Sequence, residues 1–378
     1  HSQPGIWKLT LGEGPSQTVY NISSSNQIIV SSFVPNWMTM LVHHNEGMTR
    51  YNVYNLPKIY RNNQTETDNK VHIFVVVSGQ LYEKLAKIMM ISALKNTKNK
   101  IHFWFLQNFV SAGFKEELLI MASKYSFEFS FVEYHWPNWI PRQYDRQRVI
   151  WGNKILFIDA LFPMNLSRII YIDADAVVRG DLMRLMKMDL KGRPYAFVPF
   201  CTSRKEMEKY QFWRKGYWKK HLGKTQKYHI SAMFVVDLDR YRRMGAGDKL
   251  RKHYKKIVGN TQSLANLDQD LPNDAQDEVP IYSLPKKWLW CCTWCSEYEK
   301  DDALIIDLAN NPKTKLPKVE MAKKFIEEWT LLYEEAENFR NASFFVKYNL
   351  TKIREDHRKL TGNEKPTKSQ KSKIDDEL

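Results

Sequence analysis

The run from Ile169 to Ile172 places four apolar residues, mostly β-branched or aromatic, directly before Asp173 and Asp175. Such a run predicts a buried β-strand. A strand that ends in two carboxylates spaced i and i+2 presents paired anions at the carboxyl edge of a sheet, where α/β proteins bind their ligands. Two carboxylates so close repel each other unless a cation lies between them. The pair therefore predicts a metal site, and the alternative is a polar, Asp-rich turn.

From Val71 onward the chain alternates between strand and helix patterns. The near-continuous apolar run His72–Val77 predicts a strand buried on both faces, and apolar residues at helical spacing follow it from Tyr82 to Lys95. The alternation continues with a strand, a helix, a strand and a helix, expected at Ile101–Leu106, Phe114–Tyr125, Phe127–Tyr134 and Arg148–Leu161. Alternating elements indicate an α/β fold with a doubly wound sheet and right-handed crossovers.

Beyond Asp175 the alternation is less regular. We expect helices at Asp181–Met188, Asp239–Ile257 and Met321–Phe339, and strands at Tyr195–Val198 and Ile230–Val236. Residues 1–70 carry short β-like pieces such as Gly5–Leu11 and Gln27–Phe33, and the Lys- and Ser-rich residues after Leu350 indicate a disordered tail. The chain therefore divides into residues 1–70, an α/β domain at 71–345 and a basic tail at 346–378.

Composition narrows the class of protein. The 378 residues are 43% hydrophobic and 13% aromatic, which is ample for a core, and they contain no apolar run long enough to span a membrane. The net charge of +15 comes from scattered basic residues without a zinc-finger or RNA-binding signature, so we expect no nucleic-acid partner. An anionic small substrate, or simple solubility, accounts for this charge more simply. The chain opens at His1 without a signal peptide, which indicates a fragment of a longer protein.

Two sequence signals point to the lumen of the endoplasmic reticulum. Five N-x-Ser/Thr sequons occur, at Asn21, Asn63, Asn165, Asn341 and Asn349. The last four residues, Asp375–Leu378, are a variant of the retrieval signal at the only place where it works, so a retrieval receptor is an expected partner. Chance sequons and a chance acidic end are the alternative.

Cysteine usage fits the same compartment. The four cysteines are Cys201, Cys291, Cys292 and Cys295. The pair at i and i+3 lacks the second pair or the nearby histidines of a tetrahedral zinc site, so disulfides are favoured in an oxidising compartment. Their connectivity stays open at this point.

The absence of glycine-rich phosphate-binding loops disfavours two classes of nucleotide enzyme. Ser78–Gly79 after the first strand lacks the glycine spacing of dehydrogenases and of P-loop enzymes. A first strand that binds a nucleotide, the Asp-x-Asp pair and a later acidic loop fit a nucleotide-sugar transferase. In such an enzyme a divalent metal bridges Asp173 and Asp175 to a diphosphate and stabilises its charge as it leaves.

Residues 72–340 resemble the catalytic domain of the UDP-glucose:glycoprotein glucosyltransferase family. The matching segments are Arg148–Ile158, Ile169–Val178, Phe212–Trp218, Tyr228–Ala232, Asn266–Asn273, Trp288–Cys291 and Ile306–Leu308. The resemblance implies a GT-A fold, with a mixed central sheet flanked by helices, and a retaining transfer of glucose from UDP-glucose. The implied acceptor is the high-mannose N-glycan of misfolded glycoproteins in quality control, and residues 1–70 would be the end of a β-sandwich domain and a linker.

The resemblance assigns the metal ligands and the catalytic residues. Asp173, Asp175 and Asp307 match the metal site, whose hard oxygen ligands suit Ca²⁺ or Mn²⁺; for Asp307 the alternative is a helix N-cap. Asp268 and Gln269 match the loop beside the donor sugar, where a carboxylate stabilises positive charge on that sugar; the alternative is a capping turn. Whether a covalent intermediate forms or the acceptor attacks on the same face stays open.

The remaining assignments concern the donor. The residues matched to the uridine are Val77, Ser78 and Tyr82, those that could reach a phosphate are Arg148 and Lys154, and the small-residue turn beside the sugar is Ser231 and Ala232. Core positions and solvated helix faces are the alternatives. His229 is interpreted as a satisfied histidine at a strand end rather than as a ligand.

Three positions depart from the family pattern. The family usually has Asp at Thr202, Glu at Cys292 and Cys at Ala309, so disulfide pairing need not follow that of relatives. These departures leave open a catalytically weak or silent paralogue that acts as a lumenal glycoprotein-binding module. A third alternative is a retaining hexosyltransferase acting on glycogen or lipid glycans, which the sequons and the C-terminal signal disfavour.

Overall fold

The computed structural model describes residues 69–259 and 264–340, together with four strands nearer the amino terminus. The predicted strand at Gln27–Phe33 and the predicted tail after Leu350 lie outside the described residues. Within the described part of the chain, no helix is both long and apolar enough to cross a membrane.

The strands form a large mixed sheet and a small one. The large sheet contains β1 Trp7–Leu11, β2 Thr18–Ile22, β3 Thr39–His44, β4 Gly47–Asn52, β5 Val71–Val75, β6 Ile101–Leu106, β7 Glu128–Tyr134, β8 Arg168–Ile172, β10 Tyr195–Pro199, β11 His229–Asp237 and β12 Ile281–Ser283. The small sheet contains β9 Ala176–Val178, β13 Trp290–Cys291 and β14 Ile305–Asp307. Across the large sheet the order is β12-β10-β11-β8-β5-β6-β7-β4-β3-β1-β2.

Strand directions decide which residues meet at the sheet edge. Strands β8, β5, β6 and β7 are mutually parallel, whereas β11 runs antiparallel to β8 and to β10. The register pairs Met233 with Ile172, so the beginning of β11 lies beside the carboxyl end of β8. The polar residues after β8 and those at the start of β11 therefore share one edge.

Helices cover both faces of this sheet. They are α1 Gln80–Asn96, α2 Ala112–Tyr125, α3 Arg146–Ile155, α4 Ile158–Leu161, α5 Met183–Met186, α6 Gly216–Leu222, α7 Leu238–Arg243, α8 Ala246–Ile257, α9 Leu267–Asp274, α10 Lys318–Phe325 and α11 at 329–340. In β5, Ile73 and Val75 enter the core under α1, α2 and α11, whereas Phe74 enters the core under α3, α4 and α8. Burial on both faces explains the near-continuous apolar sequence of this strand.

The predicted fold class is confirmed. Three helices that the sequence predicted as continuous are each interrupted in the structure. The helix expected at Arg148–Leu161 breaks at Phe157, whose ring stacks on Tyr134 with centroids 4.1 Å apart. The helix expected at Asp239–Ile257 breaks at Gly245, which adopts the left-handed conformation with a φ of 58°. The helix expected at Met321–Phe339 begins earlier, as α10, and breaks at Ile326, which has an extended backbone.

The disulfide pairing that the sequence left open is now defined. Cys201 is bonded to Cys295, and the adjacent pair Cys291 and Cys292 are buried free thiols. The expectation of disulfide bonding is thus confirmed for one pair of the four cysteines. The bond joins the loop after β10 to the loop after β13.

The close approach of α8 to α4 gives a stability prediction. A Cβ atom on Gly247 would lie 2.4 Å from the Asp159 carboxylate, which accepts two hydrogen bonds of 2.8 Å from Arg251. Gly247→Ala should therefore lower the free energy of unfolding by about 2 kcal/mol, measured by chemical denaturation. Gly113→Ala is the matched control, because its Cβ would have only Ser111 Oγ near it, at 3.8 Å. Equal stability of the two variants would contradict this packing.

Candidate active site

Three carboxylates meet where the two sheets adjoin. Asp173 and Asp175 follow β8, and Asp307 is the last residue of β14. Antiparallel pairing sets Asp307 opposite Ala176, directly after Asp175. One carboxylate oxygen from each of the three aspartates lies within 4.8 Å of the other two. Asp307 therefore ends a strand and does not cap a helix, so its alternative interpretation is excluded.

The electrostatics of this cluster fit a hard divalent cation. Desolvation raises the pKa of Asp173 to about 6 and that of Asp307 to about 7, and the nearby charge of Asp175 adds to both shifts. The buried Oδ2 atom of Asp307 has no hydrogen-bond partner. A divalent cation would supply both the missing partner and the missing positive charge. Oxygen donors of this kind suit Ca²⁺, Mn²⁺ or Mg²⁺.

Lys154 on α3 joins this cluster to a fourth carboxylate. Its buried Nζ atom lies 3.1 Å from Asp173 Oδ1 and 2.7 Å from Asp268 Oδ2. Burial lowers the pKa of Lys154, but the two carboxylates outweigh this effect, and the pKa is raised overall. Lys154 therefore stays charged. Its partners in the structure are the two carboxylates, and its predicted contact with a phosphate stays a prediction.

Asp173 is held in a fixed orientation. The Tyr171 hydroxyl donates to Asp173 Oδ1 at 2.6 Å, and the Asp173 amide donates to the carbonyl of Ala232 at 2.8 Å. The Lys154 ammonium also lies 4.2 Å from the centroid of the Tyr171 ring. Strand β8 thus contributes a buried phenol that supports the first carboxylate of the pair.

The segment that the sequence resemblance placed beside the donor sugar is a helix docked on β11. Asp268 lies in the first turn of α9, and its Oδ2 atom accepts a 2.9 Å hydrogen bond from Ser231 Oγ. The Gln269 side chain accepts a 3.3 Å bond from the Ser231 amide. At the other end of α9, Asn273 Nδ2 donates to the His229 carbonyl at 2.7 Å, and the His229 amide donates back at 2.8 Å. These reciprocal bonds position Asp268.

The alternative interpretation of this segment was a capping turn, and Asp270 is the residue that stabilises the start of the helix. Its carboxylate accepts a 2.6 Å bond from the Asn266 amide and a second bond from the Tyr228 hydroxyl. Burial raises the pKa of Asp270 to about 7. The Gln269 side chain donates to the same Tyr228 oxygen at 3.1 Å. Asp270 therefore stabilises the start of α9, and Asp268 remains directed towards Lys154.

His229 is a structural residue, as the sequence indicated. Its ring is buried between Ser283 Oγ at 2.9 Å and Asn273 Oδ1 at 3.2 Å. Burial lowers the pKa of His229 to about 4, so the ring is neutral at physiological pH. Both ring nitrogens have polar neighbours, and the interpretation as a satisfied histidine is confirmed.

The residues assigned to the nucleotide have different surroundings. Tyr82 lies in the first turn of α1, and burial, followed by the charge of Asp175, raises its pKa, so its phenol lies near the carboxylates. Val77 is fully buried in the core. Ser78 Oγ accepts a 3.0 Å bond from Arg146. Arg148 donates to the Leu264 carbonyl at 3.0 Å, and so holds the segment that leads into α9.

Sequence reasoning missed Lys318, the first residue of α10. Its ammonium lies 2.6 Å from Asp175 Oδ2 and also donates to the Leu308 carbonyl, next to Asp307. The only signal in the sequence is Pro317 before Lys318, which predicts the start of a helix but not which residues that helix contacts. Tyr171 was missed because it lies inside an apolar strand, where an aromatic residue is ordinary.

Two of the departures from the family pattern lie behind Asp307. The Cys292 amide donates to the Asp307 carbonyl at 3.0 Å, and Cys292 Sγ lies 3.6 Å from the carbonyl of Ala309. Burial raises the pKa of the Cys292 thiol to about 12, so this side chain is uncharged at the position where the sequence resemblance led us to expect glutamate. Thr202 is exposed beside the disulfide.

The mixed sheet and its aspartate cluster together fit a glycosyltransferase domain that uses a nucleotide-sugar donor. A family model described as Glucosyltransferase 24 matches residues 71–339, and one described as UDP-glucose:Glycoprotein Glucosyltransferase matches residues 1–55. The chain belongs to the glucosyltransferase 24 family.

Named relatives agree with this membership. The chain is 44% identical over 361 residues to a UDP-glucose:glycoprotein glucosyltransferase of Drosophila melanogaster, covering 87% of this chain and 23% of the relative. It is 51% identical over 264 residues to UDP-glucose:glycoprotein glucosyltransferase 1 of Mus musculus, covering 70% and 17%. The resemblance found in the sequence is confirmed, and the chain spans less than a quarter of the length of these relatives. A solved bifunctional glycosyltransferase, WbbM, has a TM-score of 0.49 at 14% identity over 75% of this chain and 54% of its own, too weak to carry an argument.

The position of Lys154 gives a testable prediction. Lys154→Met removes the buried cation between Asp173 and Asp268 and leaves two carboxylates without their shared partner. We expect the free energy of unfolding in metal-free buffer to fall by about 3 kcal/mol, measured by chemical denaturation. The double variant with Asp268→Asn should recover part of this loss, whereas the exposed control Lys98→Met should change little. An unaltered stability of Lys154→Met would refute the bridging role.

Proposed function

We propose that this chain is a retaining glucosyltransferase that moves glucose from UDP-glucose to the high-mannose N-glycan of misfolded glycoproteins. The observation that carries the proposal is one ion-pair network, in which Lys154 joins the aspartate cluster to Asp268. In this proposal the cation binds the diphosphate and Asp268 contacts the donor sugar, so the two parts of the site are neighbours. Family membership and the names of the relatives support the same activity.

Each residue of the site has a chemical task in this proposal. Asp173, Asp175 and Asp307 would hold a Ca²⁺ or Mn²⁺ ion, which supplies charge stabilisation to the departing diphosphate. Asp268, held by Ser231 and Lys154, accepts hydrogen bonds from the sugar hydroxyls and stabilises positive charge at the anomeric carbon.

The neighbouring residues orient the donor. Gln269 is held on the Ser231 amide, which keeps its side chain at the start of β11. The small side chains of Ser231 and Ala232 leave room for the sugar against the backbone. Tyr82 is one-third exposed, at 36%, beside the carboxylates, where a phenol ring can stack on uracil.

The compartment and the partners are part of the same proposal. The sequons and the C-terminal Asp375–Leu378 support residence in the lumen of the endoplasmic reticulum and retrieval by a receptor. Asn165 is exposed, as a glycan acceptor must be. The division into a β-sandwich end at 1–70, a catalytic domain at 71–345 and a tail at 346–378 remains our prediction. The alternative of a silent glycoprotein-binding module gains no support, because all three metal-site aspartates are present and converge.

Substitution of the third metal ligand tests the catalytic proposal. Asp307→Asn keeps the size of the side chain but removes its charge, so metal-dependent turnover of UDP-glucose should fall by about a hundredfold or more. Turnover is measured as release of UDP at saturating metal. Asp302→Asn, at an exposed turn nearby, is the matched control and should retain full turnover. Unchanged turnover of a folded Asp307→Asn variant would contradict the assignment of Asp307 as a metal ligand.

The acceptor is tested by transfer of labelled glucose. We expect label from UDP-glucose to enter a denatured glycoprotein carrying high-mannose glycans, and to enter the native form of that glycoprotein less. Enzymatic removal of the N-glycans before the reaction should abolish incorporation. Label that persists on the stripped acceptor, or equal labelling of native and denatured forms, would contradict the proposed acceptor.

A further inference from the structure

Lys318 is the unexpected cation of the site. Its side chain is 10% exposed, and its Nζ atom lies 2.6 Å from Asp175 Oδ2, which is itself buried. The same ammonium donates to the carbonyl of Leu308, the residue after Asp307. Lys318 is therefore tethered on both sides of the place where a divalent cation would contact Asp175 and Asp307.

Lys318 differs from Lys154 in how many carboxylates it contacts. Lys154 forms ion pairs with both Asp173 and Asp268, so it keeps one carboxylate partner whatever binds to Asp173. Within the described residues, the ion pair of Lys318 is with Asp175 alone. Any cation that takes Asp175 as a ligand therefore competes with Lys318 for its carboxylate partner, and the two positive charges repel each other across a few ångströms of buried space.

We propose that Lys318 is an internal counter-ion that competes with the divalent cation for Asp175, so that metal binds tightly only together with a nucleoside diphosphate. The inference rests on the proposed metal site. A diphosphate brings negative charge to the metal and to the Lys318 ammonium at once. By linkage, the nucleotide must strengthen metal binding by the same factor by which the metal strengthens nucleotide binding. Lys318 is a positioning residue in this scheme and makes the two ligands depend on each other.

Calorimetric titration of Mn²⁺ into the whole chain, with and without UDP, tests the proposal. Lys318→Met should bind Mn²⁺ alone about tenfold or more tightly than the unaltered chain, because a like charge has been removed. The factor by which UDP strengthens Mn²⁺ binding should shrink in the same variant. Lys323→Met, on an exposed position of the same helix, is the matched control and should behave as the unaltered chain.

Two further measurements separate charge from packing. Lys318→Arg keeps the positive charge and should retain weak binding of Mn²⁺ alone together with strong coupling to UDP. Lys318→Met should melt at a lower temperature without metal, because Asp175 loses its counter-ion. Mn²⁺ should then raise the melting temperature of this variant more than that of the unaltered chain.

The outcomes distinguish this inference from the function on which it rests. Equal Mn²⁺ affinity in the unaltered chain and in Lys318→Met overturns the counter-ion role while the metal site stands. Tighter Mn²⁺ binding by Lys318→Arg also overturns it, because charge would then not be the cause. Absence of Mn²⁺ binding in every variant, with and without UDP, overturns the proposed metal site itself.

Discussion

The structure depends on the neutralisation of carboxylates that are buried at one edge of the sheet. Asp175, Asp268 and Asp307 are almost inaccessible to water, and Asp173 stands beside them. Uncompensated charges in such a place cost several kcal/mol each. Two buried lysines, Lys154 on α3 and Lys318 on α10, lie at this edge and neutralise two of the four carboxylate charges. The two negative charges that remain equal in magnitude the charge of one divalent cation. Charge thus links helix packing to the chemistry of the site.

The sequence predicts the sheet well because local pattern determines it. Strand β5 is buried on both faces, so its apolar run is unambiguous, and Asp173 follows β8 directly. Helix continuity was predicted less well, because Gly245 and Phe157 end helices through backbone conformation and ring packing. The contact of Lys318 with Asp175 depends on the path of the chain between β14 and α10, which no spacing rule encodes.

Helix α9, which we propose lies beside the donor sugar, shows how a polar segment acquires a rigid position. Helix α9 is short and contains Pro272, so its own hydrogen bonds contribute little to holding it in place. Its two ends are instead bonded to the beginning of β11, through Ser231 at one end and His229 at the other. A carboxylate placed by a sheet strand is more precisely oriented than one on a free loop. The role of Asp268 therefore stays a prediction from the sequence, whereas the bonds that hold it are visible only in the structure.

The small sheet has a consequence for the order of folding. Asp307 reaches Asp175 only when β14 pairs with β9, a contact between segments far apart in the chain. Contacts between distant segments form late, because the loop between them must first be closed at an entropic cost. A chain that has assembled β5, β6 and β8 but not β14 would therefore bring together only two of the three aspartates of the candidate metal site. Under our proposal such a chain would be inactive, and the domain would become competent only after its own folding is complete.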